Sequence, residues 1–229
     1  MRCVLCGLPA TADSALCSGC QTEMPPLSRP GHTLCRCGLP CPGTAPSPGT
    51  LPPLCGRCLH SPPPFERLLA PLAYAFPLDR VILGHKQQRR PPMERAFLWL
   101  WNRLLPLPGA QRPDLLVPVP LHWRRLWWRG FNPAWQLAHA AGTRLGIPAR
   151  PVLARHRPTP SQQGLTAAAR RRNLTRALRI TQPIDGLHIA LIDDVVTTGS
   201  TARVASQVLL DGGASRVEVW ALARTLPSA

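Results

Sequence analysis

All nine cysteines of this 229-residue chain fall between Cys3 and Cys58, and none follows. Cysteine confined to one end divides the chain. One region is stapled by bridges or metal, and the other must fold by apolar burial. The pairing is regular. Cys3-x-x-Cys6 is followed by Cys17-x-x-Cys20, and Cys55-x-x-Cys58 closes the segment. A two-residue gap lets both sulfurs of one turn face one ion, and two such knuckles make a tetrahedral thiolate cage for zinc. Cys3, Cys6, Cys17 and Cys20 form one complete set. The second set reads as Cys35, Cys37, Cys55 and Cys58, because Cys37-Gly38 has the form of a knuckle's second half. Cys35 stands one residue short of the usual spacing, and Cys41 competes with it; Cys35 is preferred. A disulfide framework is the alternative, and the absence of an apolar leader after Met1 argues against it. A redox site would place one Cys-x-x-Cys at a strand–helix junction. Thirteen of the 29 prolines lie in residues 1–64, so this region buries little core. Two structural zinc ions, each worth on the order of 10 kcal/mol to such modules, would hold it.

The division expected is a double zinc-ribbon module over 1–60, a Pro-rich linker over 61–71 and an α/β domain over 72–229. Ser61-Pro62-Pro63-Pro64 marks the boundary, since consecutive prolines stop helices and stiffen a connection. Beyond it, helix and strand patterns alternate. Strands are expected at 72–76, 114–120, 188–192 and 216–222. Helices are expected at 94–105, 133–145 and 201–210. The run His188–Ile192, bounded by Gly186 and by acids, reads as a strand buried on both faces of a parallel sheet. A hydrophobic fraction of 45% excludes wholesale disorder. No apolar run reaches the roughly 18 residues needed to span a bilayer. No membrane insertion and a cytoplasmic location are therefore expected.

The chain's charge is +16, with Lys86 the single lysine among 27 basic residues. A GC-rich coding bias accounts for part of the arginine excess. The rest points to an anionic partner, since arginine presents a planar fork that suits phosphate. The positive charge is uneven. Residues 1–76 carry 5 basic and 3 acidic residues, and residues 77–229 carry 22 and 8.

The most informative stretch is Ile189-Ala-Leu-Ile-Asp193-Asp194-Val-Val-Thr197-Thr198-Gly199-Ser200-Thr201. An apolar strand ends in two acids, a small-residue loop follows, and a helix begins. Ligands of α/β sheets bind at the carboxyl ends of the strands. Backbone N–H groups of Thr198 to Thr201, with the helix N-terminus, make an anion cradle. Asp193 and Asp194 stand where they can accept hydrogen bonds from ribose hydroxyls. An ordinary strand–turn–helix with a Thr-rich cap is the plainer alternative, and thirteen residues in this order weigh against it.

This stretch resembles the signature of type I phosphoribosyltransferases. Two further stretches extend the resemblance. Val117-Pro118-Val119-Pro120-Leu121 leads into Arg129-Gly130-Phe131-Asn132, and Thr159, Gln162, Gln163 and Leu165 precede Arg170-Arg171-Arg172-Asn173. With the double zinc module, these resemble the ComF family, also termed GntX-like or competence protein F-like, over nearly the whole chain. Pro133 stands where the family usually has Gln, and it suits a helix's first turn.

The resemblance implies a phosphoribosyltransferase-like parallel sheet with flanking helices. It implies that phosphoribosyl diphosphate binds with Mg²⁺ held mainly by ligand oxygens. Asp193 and Asp194 would be the catalytic, ribose-binding pair. Thr197, Thr198, Gly199, Ser200 and Thr201 would take the 5′-phosphate. Val117–Pro120 and Arg129 would lie near the diphosphate, and residues 155–173 would form a loop over the site. Thr197 occupies the position where purine-salvage relatives carry an acid, which argues against purine salvage. The family's role in DNA uptake during natural transformation fits the charge. Trp127 and Trp128, interleaved with Arg124, Arg125 and Arg129, would stack bases and hold phosphates of single-stranded DNA. Arg170 and Arg171 are further DNA-contact candidates, or a solvated helix face. Trp123 is expected to pack in the core. Two alternative functions stand beside this one: an active phosphoribosyltransferase on an unidentified acceptor, and an adaptor for a helicase-like competence protein.

Overall fold

The computed structural model describes residues 1–28, 31–43, 50–88, 90–105, 112–121, 123–155 and 178–227. The cysteine-rich region holds helix α1 (Ser18–Thr22), an antiparallel hairpin of β1 (His32–Leu34) and β2 (Pro40–Pro42), and helix α2 (Gly56–His60). Then come β3 (Leu68–Leu69), β4 (Leu72–Ala73), α3 (Leu78–Gln88), α4 (Pro91–Leu104) and β5 (Leu115–Pro118). They are followed by α5 (Trp123–Arg129), α6 (Pro133–Leu145), β6 (Leu153–Arg155), β7 (Leu178–Ile180), β8 (His188–Val196), α7 (Ser200–Asp211) and β9 (Arg216–Arg224).

Every pairing in the main sheet is parallel. β8 lies between β5 and β9, with Leu191 opposite both Val117 and Val219. β3 and β4 pair in succession with the outer edge of β9. Parallel strands require crossovers, and the helices that supply them cover both faces. Alternate residues therefore bury to opposite sides. Leu115, Val117, Ile189, Leu191 and Val219 pack with Ala202, Ala205 and Leu209 of α7. Leu116, Ala190, Ile192 and Trp220 pack with Phe97, Leu100 and Trp101 of α4 and Leu137 and Ala141 of α6. This two-sided burial is why β8 and β9 read as apolar runs rather than alternating ones. Trp101 is fully buried, and its indole N–H donates to the Leu137 carbonyl at 3.0 Å.

Helix ends follow local chemistry. The Asn132 side chain accepts from the Ala134 N–H at 3.1 Å and caps α6, and Pro133 fills the first position. Gly146, at φ 62°, ends that helix in the left-handed conformation. α4 begins three residues before the expected Glu94, because Pro91 and Pro92 occupy a first turn whose N–H groups have no helical partner anyway.

The cysteine-rich region joins the core of the sheet. Cys3, Leu16, Cys20 and Met24 share one apolar cluster with α3 and α4. Leu27 donates its N–H to the Pro71 carbonyl at 3.0 Å. The segment 61–71, expected as a linker, carries β3 and the buried Phe65.

Candidate functional site

β8 ends at Val196, and Thr197, Thr198 and Gly199 turn the chain into α7. Gly199 is the N-cap residue at φ 77°, a conformation that L side chains adopt at a cost. The Thr198 hydroxyl lies 2.9 Å from the Ser200 hydroxyl and accepts from the Ser200 N–H at 3.3 Å, so the turn braces itself. A small recess of about 30 Å³, open to solvent, is lined by Asp193 and by residues 195–202. The positive end of the α7 dipole faces this end of β8.

The two acids differ. Burial, and then the adjacent Asp194 charge, hold the Asp193 carboxyl well above the usual carboxylate range. Its Oδ1 accepts from the Asp194 N–H at 2.9 Å. Asp194 forms an ion pair with Lys86 of α3. Arg129, at the end of α5, is partly buried, and burial lowers its pKa while the Asp194 charge opposes that. Its Nε has no hydrogen-bond partner among the described residues. Asn132 links the Arg-Gly-Phe-Asn stretch to the Val-Pro-Val-Pro strand by donating to the Val119 carbonyl at 3.0 Å.

α5 buries none of its residues. Trp127 and Trp128 are 85% and 72% exposed, and Leu126 is exposed beside them. Trp123, expected in the core, is 54% exposed, because α5 projects no face into either apolar cluster. The Arg124 guanidinium lies 5.3 Å from the Trp123 ring centre, a cation–π distance. Arg125 lies on the same exposed helix. Arg170 and Arg171, with the loop expected over 155–173 from residue 156 onward, lie outside the described residues.

The sulfurs gather in two groups: Cys3, Cys6, Cys17 and Cys20, and Cys35, Cys37, Cys55 and Cys58. Within each group they lie within 4.8 Å of one another, and either group could hold a metal ion. Cys41 is buried nearby and belongs to neither. Backbone N–H groups point at the sulfurs: Cys20 N–H at Cys17 Sγ (3.5 Å), Cys37 N–H at Cys35 Sγ (3.5 Å) and Cys55 N–H at Cys35 Sγ (3.1 Å). Burial pushes the Cys20 and Cys58 thiols up, and neighbouring sulfurs push the same way. Four crowded thiols do not all ionise alone. Four sulfur donors around a tetrahedral point fit zinc, which holds them as thiolates.

Three residues that contact the Asp193–Thr201 segment or its helix escape a reading of the sequence alone. Lys86 carries the one available signal, as the only lysine in an arginine-rich chain. Arg203 and Arg224 carry none, because their partners are far away in sequence.

No family model matches the chain. Curated relatives do. DNA utilization protein YhgH of Escherichia coli K12 is 40% identical over 235 residues, covering 98% of this chain and 97% of that protein. Its Salmonella typhimurium counterpart is 40% identical over 231 residues, with the same coverage. Competence protein F of Haemophilus influenzae is 32% identical over 234 residues, covering 97% and 96%. Among solved structures, the glutamine phosphoribosylpyrophosphate amidotransferase of Bacillus subtilis is similar at TM-score 0.37 and 19% identity, covering 55% of this chain and 25% of that one. Purine phosphoribosyltransferase from Pyrococcus horikoshii is similar at TM-score 0.32 and 18% identity, covering 57% and 81%.

Proposed function

The chain belongs to the ComF family, the group of competence protein F and DNA utilization protein YhgH, and on that premise we propose that it binds phosphoribosyl diphosphate and single-stranded DNA in DNA uptake or utilization. The observation that carries the ligand assignment is the recess between acid-ended β8 and the N-terminus of α7. A sugar phosphate needs an anion cradle beside diol acceptors, and this loop offers both.

In this reading the N–H groups of the 198–201 turn take the 5′-phosphate, and the Thr197, Thr198, Ser200 and Thr201 hydroxyls add donors. Asp193 and Asp194 take the ribose hydroxyls. Burial and the Asp194 charge favour the neutral form of Asp193, while Asp194 accepts and Lys86 compensates its charge. Arg129, with a free Nε, stands for the diphosphate. Mg²⁺ would be held mostly by ligand oxygens and would neutralise the diphosphate charge. Zinc would occupy both four-cysteine groups and tie residues 1–60 onto a phosphoribosyltransferase-like unit over 72–229, joined through 61–71.

For DNA, the support is α5. Large exposed aromatics beside arginines form a stacking platform that needs no sequence readout, each stacked base being worth about 1–3 kcal/mol. A second reading, phosphoribosyl transfer to an acceptor, is favoured by the complete Asp193–Thr201 stretch. Diphosphate release that is lost in Asp194→Asn would support it. The test of the main reading titrates zinc-loaded protein into fluorescent single-stranded DNA at two salt concentrations, with and without phosphoribosyl diphosphate and Mg²⁺. Salt-sensitive binding that the sugar donor displaces or modulates is expected. Absence of DNA binding at low salt would overturn the DNA half of the reading.

A further inference from the structure

Arg224 closes β9 with its side chain almost wholly buried, at 3% exposure. No carboxylate pairs with it among the described residues. Its donors go to carbonyls instead. Nε donates to the Cys37 carbonyl at 3.1 Å, inside the second four-cysteine group. Nη1 donates to the carbonyls of Val196 (3.0 Å), Thr225 (2.9 Å) and Thr197. One guanidinium thus bridges a metal knuckle and the two residues that start the phosphate loop.

The geometry has a consequence for the loop. In a trans peptide the carbonyl and the following N–H point in opposite directions. Holding the Val196 and Thr197 carbonyls on Arg224 turns the N–H groups of Thr197 and Thr198 away from the guanidinium. An anion cradle needs that kind of fixed amide orientation.

A second arginine makes the same connection from the helix side. Arg203, in the first turn of α7, donates its backbone N–H to the Gly199 carbonyl at 2.9 Å. Its guanidinium reaches the carbonyls of Ser61 (2.8 Å) and Pro62 (2.9 Å) and the Cys58 sulfur (3.6 Å). Cys37, Cys58, Thr198, Gly199, Arg203 and Arg224 all line one cleft. The knuckle is also docked on the sheet. Leu68 of β3 donates its N–H to the Arg36 carbonyl at 2.9 Å, and a Cβ on Gly38 would fall 2.6 Å from the Leu68 side chain.

Charge gives the link its energy. A buried guanidinium surrounded by neutral carbonyls is costly unless an anion lies near. A zinc tetrathiolate carries a net charge of −2, so metal held at this group would place counter-charge beside both guanidiniums.

We propose that Arg224 and Arg203 are positioning residues that couple the second four-cysteine group to the phosphate loop, so that metal held there and anion bound at the loop strengthen each other. The anion half of this coupling rests on the phosphate-binding reading above. The mechanical half, metal to loop order, does not.

The test is hydrogen exchange by mass spectrometry on the full zinc-loaded chain, following the peptide that spans residues 195–203. Stripping zinc from the second group with a chelator should speed exchange of that peptide about tenfold, while residues 188–192 of β8 stay protected. Arg224→Lys keeps the charge and loses the planar fork. With both metals retained, it should loosen the loop likewise. Arg203→Ala, a less buried site, gives the same test should the first variant misfold. By reciprocity, phosphoribosyl diphosphate should slow zinc release to a chromogenic chelator about fivefold in the parent and not in Arg224→Lys. Unchanged loop exchange after zinc loss, or zinc release indifferent to saturating sugar donor, overturns the coupling. Metal-dependent loop exchange without any binding of the sugar donor overturns the phosphate reading and leaves the mechanical link standing.

Discussion

Gly199→Ala separates the phosphate loop from the rest of the fold. Gly199 sits at φ 77°, and a Cβ added there would meet only Val196 Cγ1, at 3.9 Å. That is ordinary van der Waals contact, so no clash contributes. The cost is conformational, about 1–2 kcal/mol for an L residue in the left-handed region. Two responses are open to the chain. It can keep the turn and lose stability, which lowers Tm by roughly 2–8 °C for a chain of this size. Or it can leave the left-handed region and lose the amide cradle, which weakens phosphoribosyl diphosphate binding by about fivefold to thirtyfold. The two losses share one free energy, so their sum is what the structure fixes. Differential scanning calorimetry reads the first and titration calorimetry the second. Gly199→Asn should recover much of both, because Asn enters this region more readily. An alanine variant with the parent's Tm and the parent's affinity would refute the claim that this turn needs glycine.

Other perturbations test other parts of the account. Glu218 is fully buried and accepts from Arg67 at 2.9 Å and Trp220 at 3.0 Å, with His188 at 3.0 Å. Burial alone would raise its pKa, and the bonds from His188, Arg67 and Trp220 outweigh that and hold it down to about 2. The stability it contributes is present above its ordinary 4.5 and is lost as pH falls from there toward 2. At about 1.4 kcal/mol per pH unit this amounts to about 3 kcal/mol. Glu218→Gln should lose a comparable amount at pH 7 and flatten the acid limb of a denaturation series. Trp127→Ala should leave Tm unchanged, since the side chain is 85% exposed. It should weaken single-stranded DNA binding by roughly 5- to 150-fold in a fluorescence titration. Cys41→Ser should keep two zinc ions per chain by elemental analysis, whereas Cys37→Ser should keep one.

What the sequence discloses, and what it hides, follows from the range of each interaction. β8, α6 and α7 are legible because apolar runs, the Asn132-Pro133 start and the Gly199 turn act over a few residues. The two four-cysteine groups are legible because knuckle spacing is local. The run Trp123–Arg129 hides its helix, since seven residues with no buried face leave no apolar period to read. β3 is two residues long and exists as a strand only because β9 is there to pair with, whereas β4 falls within the strand expected at 72–76. Arg224 shows the limit most plainly. Its partner Cys37 is 187 residues away, and nothing near either residue encodes the meeting.

On the proposed reading the 193–201 segment binds a sugar phosphate. Titration calorimetry of phosphoribosyl diphosphate with Mg²⁺ into the zinc-loaded chain tests it most directly, with Asp193→Asn/Asp194→Asn as the paired control. One saturable site in the parent, lost in the double variant at unchanged zinc content, is expected. No binding at millimolar ligand, or equal binding in the double variant, would contradict it.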